Sequence, residues 1–370
     1  IKDKVVMVTG AGGSIGSELC RQIIPLKPKQ LILIEQSEYL LYKVESEFSL
    51  LATRDGADIQ IVPLLVDVCN EHHVSHYLDM FSVDTIYHAA AYKHVPIVEH
   101  NIVAGIENNI IGTYNMAMLA MSANVENFVL ISTDKAVRPT NVMGASKRFA
   151  ELVLQGLAKL DSSTSFCMVR FGNVLGSSGS VVPLFREQIA NGGPVTITHE
   201  DMTRYFMTIP EASQLVIQAG AMSTGGDVFV LDMGKPVKIM KLATSMINLM
   251  GLEVKGEENS EGDIEINVVG LRPGEKLYEE LLIGENVSGT LHPKIMRAEE
   301  DSLSYEEMNV NIEVLKKTIQ SYDILAIRKL LLAQVNGYKP IDNIVDHGYT
   351  QIQEQALSLD AEKVQKSQVH

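Results

Sequence analysis

Val5-Val6-Met7-Val8-Thr9-Gly10-Ala11-Gly12-Gly13-Ser14-Ile15-Gly16 decides the architecture of this chain of 370 residues. Four apolar residues read as a buried strand. A glycine turn follows, and then apolar positions at helical spacing, Ile15, Leu19 and Ile23, stopped by Pro25. Strand, glycine turn and helix make the first unit of a dinucleotide-binding fold. The glycines let the backbone approach a pyrophosphate, which sits on the helix N-terminus. A glycine pattern alone also describes an ordinary loop; the strand before it and the helix after it favour binding. Gly10, Gly13, Ser14, Ile15 and Gly16 are the expected contacts.

Working outward, Leu31-Ile32-Leu33-Ile34 reads as strand two and ends at Glu35, the position of a carboxylate that takes the adenosine ribose hydroxyls. A carboxylate there repels a 2′-phosphate, and Gln36-Ser37-Glu38-Tyr39 offers no arginine, so NAD is expected rather than NADP. The competing reading of Glu35 is an acidic helix cap. A third strand leads to Asp67-Val68, the expected adenine edge, and a fourth, from Thr85, exits through the small residues Ala89 and Ala90. Lys93 follows at the carboxyl end of the sheet and faces either substrate or solvent. Asn108-Asn109 is expected to open a long helix. His72 and His76 have metal-ligand spacing, but no third ligand is evident, so they read as a solvated helix face and no metal is expected.

Strand five, Phe128-Val129-Leu130-Ile131, ends in Ser132-Thr133-Asp134-Lys135, and Asn141-Val142-Met143-Gly144-Ala145-Ser146-Lys147 opens the next helix. A hydroxyl, a carboxylate and two lysines thus gather around one turn. Strand six, Phe166 to Val169, leads into a glycine- and serine-rich loop from Arg170 to Pro183, suited to a second phosphate-bearing ligand. Asn173 and Val182 lie there; Arg204, Arg272 and Glu275 come later as candidate substrate contacts, with a structural ion pair the plainer role for Arg204.

The fold expected is α/β. A Rossmann-like doubly wound parallel sheet over 1–175 is completed by parts of 205–235. A smaller α/β substrate-binding domain covers mainly 176–300, and a helical extension with a polar tail from about Ser358 covers 301–370. Glu257 to Asp263 reads as an acidic surface loop. A net charge of −15 disfavours nucleic acid as a partner. Three scattered cysteines, Cys20, Cys69 and Cys167, suit a reducing cytoplasm. The start at Ile1, directly before the first strand, reads as an excised domain.

Gly10-x-x-Gly13-x-x-Gly16, Ser132-Thr133-Asp134-Lys135 and Met143-x-x-x-Lys147 together resemble the extended short-chain dehydrogenase/reductase superfamily. Within it the chain looks like the bacterial nucleotide-sugar 4,6-dehydratases, above all those acting on UDP-N-acetylglucosamine. His88-Ala89-Ala90-Ala91-Tyr92-Lys93-His94-Val95-Pro96 and Leu271-Arg272-Pro273-Gly274-Glu275-Lys276 carry that resemblance, over roughly residues 3–300. Met143 departs from the superfamily, which has tyrosine there. A subgroup that shares the methionine is usually the catalytic part of a longer membrane-anchored protein. The resemblance therefore implies a cytoplasmic catalytic domain from an inner-membrane protein, attached only through an anchor preceding residue 1.

The resemblance implies tightly bound NAD recycled in each turnover, a UDP-sugar substrate and a homo-oligomer paired through the helices starting near Asn109 and Met143. It also implies oxidation at C4, loss of water across C5–C6 and hydride return to C6. A thioether carries no proton, so the roles fall to neighbours: Asp134 as acid to the C6 hydroxyl and Lys135 as base at C5. Lys135, or a water held by Thr133, serves C4, and Lys147 binds the nicotinamide ribose. Two other readings stand beside this one: a nucleotide-sugar 4-epimerase, which wants the missing tyrosine, and a non-catalytic NAD-binding sensor or scaffold with Met143 as packing.

Overall fold

The computed structural model describes residues 1–54, 59–257, 259–280 and 287–356. The chain alternates strand and helix from its start: β1 (Val5–Thr9), α1 (Ser14–Ile23), β2 (Gln30–Glu35), α2 (Glu38–Arg54), β3 (Gln60–Leu65), α3 (Glu71–Phe81) and β4 (Thr85–His88). Two short helices, α4 (Val95–His100) and α5 (Ile102–Ile106), precede α6 (Gly112–Ser122), β5 (Asn127–Ile131), α7 (Val142–Leu157) and β6 (Ser165–Arg170). Next come β7 (Asn173–Val174), α8 (Val181–Ala190), β8 (Val195–Ile197), β9 (Thr203–Arg204), β10 (Phe206–Met207), α9 (Ile209–Ala221) and β11 (Asp227–Leu231). The remainder is β12 (Val237–Lys238), α10 (Ile239–Leu249), β13 (Val254–Lys255), β14 (Ile264–Val268), β15 (Val287–Gly289), β16 (Ile295–Ala298), α11 (Tyr305–Gln320) and α12 (Ile324–Gln334).

Nine strands form one sheet in the order β15-β16-β11-β6-β5-β4-β1-β2-β3. From β11 to β3 every pair is parallel. The strands are near-continuous apolar runs because helices cover both faces. On one face Ile86, Phe128 and Leu130 pack with α6, α7, α11 and α12; on the other Val6, Val8 and Val129 pack with α1, α2 and α9. The chain leaves β1 for β2 and β3 on one side and returns to β4 on the other. A crevice therefore opens beyond the carboxyl ends of β1 and β4, where such sheets bind ligands. A smaller apolar cluster, including Phe185, Val195, Ile197, Ile239, Ile247 and Ile264, joins α8 and α10 to the three-stranded sheet β13-β14-β8.

Three elements depart from the sequence reading. β15 and β16 return to the edge of the large sheet instead of staying with the smaller unit, because β16 pairs antiparallel with β11. Asn108 and Asn109 do not open a helix. They sit in a π turn over Glu107–Ile111, inside a helical run that begins at Ile102, where Asp346 accepts a hydrogen bond from the Ile102 amide. And α7, expected to pair with another subunit, is buried along its whole length, with α11 and α12 of the same chain packed on it. Of the two helices expected to pair between subunits, α7 is thus covered within its own chain. No helix among the described residues is long and apolar enough to cross a membrane. The polar tail from Ser358 lies outside the described residues, as does Glu258 of the acidic loop.

Candidate active site

The glycine turn is fixed by close approach. A Cβ on Gly16 would lie 2.1 Å from the Gly10 carbonyl oxygen, and one on Gly10 would lie 2.8 Å from the Ala90 amide nitrogen. The α1 N-terminus thus stands against β1 with the Ala89-Ala90 exit alongside, leaving backbone rather than side chains facing the crevice. Glu35 ends β2, buried, with its two oxygens accepting from the Gly12 and Ser37 amides, each at 3.0 Å. It lines a cavity of about 140 Å³ with Gly10, Gly13, Gln36, Val68, Ala89, Ala90 and Asn108. Asp67 is not on this wall: it is exposed, and its carboxylate accepts from the Cys69 amide at 2.9 Å. A side-chain-free cradle on a helix N-terminus, beside a carboxylate, fits a dinucleotide without a 2′-phosphate.

A larger cavity of about 660 Å³ runs from Gly10–Gly16 across the end of β5 to Phe185, Ile197, Met202 and Ile239 of the smaller unit. Ser14 and Ile15 line its first end, Thr133, Lys135, Met143 and Lys147 its middle, and Lys93, Asn173, Val182, Arg204, Arg272 and Glu275 the remainder. Two loops clasp above the glycine turn, since the Ser178 amide donates to Ser14 Oγ at 3.1 Å. The His94 ring lies so close to Gly179 that a Cβ there would sit 2.6 Å from it.

The turn after β5 and the start of α7 are held together. Asn141 caps the helix by accepting from the Gly144 amide at 2.7 Å and donates to the Gly274 carbonyl at 2.9 Å. Gly144 has no room for a side chain: a Cβ would stand 2.2 Å from the Lys135 carbonyl oxygen. Lys135 Nζ contacts Asp134 Oδ1 at 3.0 Å, Asn173 Oδ1 at 3.2 Å and Glu279 Oε1 at 3.5 Å. Burial opposes the ammonium, but Asp134 and Glu279 outweigh it and hold Lys135 above the ordinary lysine value.

Asp134 does not line the cavity. Its side chain is 1% exposed, accepts from Thr133 Oγ1 at 3.0 Å, and leaves Oδ2 without a partner among the described residues. Direct contact between this carboxylate and a bound sugar is therefore not made in this geometry; Thr133 and Lys135 stand between them.

Lys147, one turn beyond Met143 on α7, is buried and has no hydrogen-bond or ion-pair partner among the described residues. Burial pulls its pKa down to about 8. His88, held between Thr9 Oγ1 at 2.8 Å and Thr113 Oγ1 at 3.1 Å, is pushed down to about 3 by burial and by Lys147. It is a neutral strut, not an acid.

Beneath the turn, Ser132 Oγ donates to Glu151 at 2.6 Å, and Glu151 pairs with Arg170 and Arg148, which also meet Glu300. Burial works against the Glu151 carboxylate, but Arg170 and Arg148 bring its pKa down to about 2. Arg204 combines both expectations. It reaches the cavity, yet its guanidinium donates to the Thr203, Lys276 and Leu277 carbonyls and faces Glu275 at 3.5 Å. Arg272 is exposed at the cavity rim. Sequence reasoning singled out the stretches that hold Ser178 and His94 but not these two residues, and it missed Glu279; each matters through what the fold places opposite it.

A dinucleotide cradle and a turn bearing a hydroxyl, a carboxylate and a lysine open onto one cavity. That defines an α/β protein built to hold a dinucleotide against a second ligand. The chain belongs to the polysaccharide biosynthesis protein family, whose profile matches residues 6–300. It is 50% identical over 328 residues to the capsular polysaccharide biosynthesis protein CapD of Staphylococcus aureus, covering 88% of this chain and 53% of that protein. The chain thus spans about half the length of that relative. Among solved structures, Pen from Bacillus thuringiensis superposes with a TM-score of 0.71 at 32% identity, covering 84% of this chain and 98% of that one. The Streptomyces venezuelae dTDP-glucose 4,6-dehydratase DesIV, solved with NAD bound, shares the fold at TM-score 0.61 and 19% identity, covering 75% of this chain and 87% of that one.

Proposed function

We propose that the chain is an NAD-dependent nucleotide-sugar 4,6-dehydratase acting on UDP-N-acetylglucosamine in bacterial glycan synthesis. The observation that carries the reading is the Asp134–Lys135 pair, packed at the end of β5 beside the dinucleotide cradle and open to the large cavity through Lys135 and Thr133. Gly10 to Gly16, Glu35 and Lys147 would hold NAD, which when bound supplies the acceptor and later the donor of one hydride. Lys93, Asn173, Arg204 and Arg272 would face the UDP moiety.

The pair supplies two groups from one proton. Moving a proton across the 3.0 Å contact turns ammonium and carboxylate into amine and carboxylic acid. The amine of Lys135 then takes the C5 proton, while Asp134 delivers its own proton through the Thr133 hydroxyl to the departing C6 oxygen, and water leaves. Both groups end as the ion pair they began as. Lys135 later returns a proton to C5 and regains one from the water on Thr133 that took the C4 proton, which restores the ion pair. The C4 hydroxyl proton leaves through a water on Thr133, so Met143 needs no acid–base role.

Incubation with UDP-N-acetylglucosamine in deuterium oxide, read by proton NMR, tests this. A 6-deoxy-4-keto product carrying deuterium at C5 is expected. A galacto product without deuterium means a 4-epimerase, and unchanged substrate across several nucleotide sugars overturns both.

A further inference from the structure

Glu279 is the charged group at this site to which no role has yet been given. It lies beyond the Leu271–Lys276 stretch, and its loop is tied to the catalytic turn. Lys276 Nζ donates to the Val137 carbonyl at 3.0 Å, and Asn141 and Thr140 donate to the Gly274 carbonyl. The Glu279 side chain is 2% exposed. One oxygen faces Lys135 Nζ at 3.5 Å and Arg204 Nε at 3.9 Å; the other has no hydrogen-bond partner among the described residues. A buried carboxylate with an unpaired oxygen is unfavourable on its own account, so its charge must be offset by a neighbour.

The neighbour is Lys135. An ammonium carries three N–H groups. Asp134 and Asn173 accept two of them, and Glu279 stands opposite as an ion-pair partner, so three different parts of the chain surround the ammonium. Glu279 is the longest of the three contacts, so it is the one most readily given up when the amine turns toward a ligand. The other charged group set against Lys135 is Arg204 from β9, itself faced by Glu275.

We propose that Glu279 is a positioning residue that completes the seat of Lys135 and governs when that lysine holds its proton. Its meaning for catalysis rests on the dehydratase reading, but the coupling between the two side chains does not. The test therefore has two arms.

In the first, without substrate, Lys135 is labelled by acetic anhydride in competition with a reference amine across pH, and its peptide is followed by mass spectrometry. Removing a buried anion next to an ammonium releases the proton more easily. Glu279→Gln should move the labelling midpoint to lower pH, giving about tenfold or more reactive amine at a fixed pH below it. Glu279→Asp, which keeps the charge, should restore most of the wild-type profile. An unchanged midpoint in folded Glu279→Gln overturns the proposal. If Glu279→Gln is recovered unfolded, Glu279→Ala decides: loss of the carboxylate should move the midpoint to lower pH, and an unshifted midpoint in the folded variant overturns the proposal.

In the second arm, kcat and KM for UDP-N-acetylglucosamine are measured against pH. The limb that reports the C5 base should shift with the labelling midpoint, while KM stays within about twofold. Failure of the wild-type protein to turn over any nucleotide sugar would remove the dehydratase reading and leave the first arm to decide the role of Glu279.

Discussion

Met143 and Lys147 lie one helical turn apart on α7 and face the same cavity, yet only one of them titrates. The methionine side chain is 2% exposed and packs in the core around α7, so its replacement by leucine is a volume-conserving change. Met143→Leu should keep kcat within about threefold and stability within ~1.5 kcal/mol, checked by steady-state kinetics and denaturant unfolding. A fall of a hundredfold would give the thioether a role that the geometry does not. Lys147 has the opposite character. Burial brings it to about 8 from an ordinary 10.5, so its ammonium is present below that pH and is lost as pH rises through it. NAD affinity of the free protein, followed by calorimetry, should therefore weaken above about pH 8, and Lys147→Met should bind weakly with no such step. Neither side chain's surroundings can be read from Met143-x-x-x-Lys147; the spacing puts them on one face but says nothing of what faces them.

At the scale of elements, the β1–α1 turn was legible because everything it needs is local. Strand, glycines and helix follow one another within Val5–Ile23, and the structure adds only the distances. Gly16→Val should lose NAD binding outright, since the new side chain would collide with the Gly10 carbonyl rather than with a movable side chain. Protein recovered free of cofactor but with normal far-UV circular dichroism would be the expected outcome.

The π turn at Glu107–Ile111 was not legible, because it follows from tertiary demands: Asn109 must reach both the Tyr92 backbone and Ser146. The same is true of the Glu151–Arg170–Arg148–Glu300 network under Ser132, whose members come from α7, β6 and the loop after β16. Glu151→Ala leaves the Arg170 guanidinium, itself 1% exposed, short of its main partner. It should destabilise the fold by roughly 3–5 kcal/mol in urea unfolding. A change below 1 kcal/mol would mean that Glu300 suffices alone.

For the whole molecule, the seven parallel strands were foreseeable from apolar runs separated by helical spacing, whereas the closing of the fold was not. The amphipathic pattern after residue 300 marks helices but not what they cover. Met308, Ile312, Leu315, Ile327 and Leu331 complete the core on the α7 face of the sheet. A chain ended before Leu303 should therefore expose an apolar face and aggregate, as size-exclusion chromatography would show; a monodisperse, NAD-binding product would contradict this.

The segment after α12 also reaches the turn between β5 and α7. Lys339 and Ile341 amides donate to the Pro139 and Thr140 carbonyls, and Asp342 accepts from the Gly274 amide. This has a consequence for the order of events at the ribosome. Domains begin to form from the amino terminus while synthesis continues. The sheet can assemble early, but the loop carrying Glu279 and the cap of α7 acquire their last restraint only when residue 342 has emerged. A nascent chain would therefore own its cofactor cradle well before the surroundings of Asp134, Lys135 and Glu279 were complete.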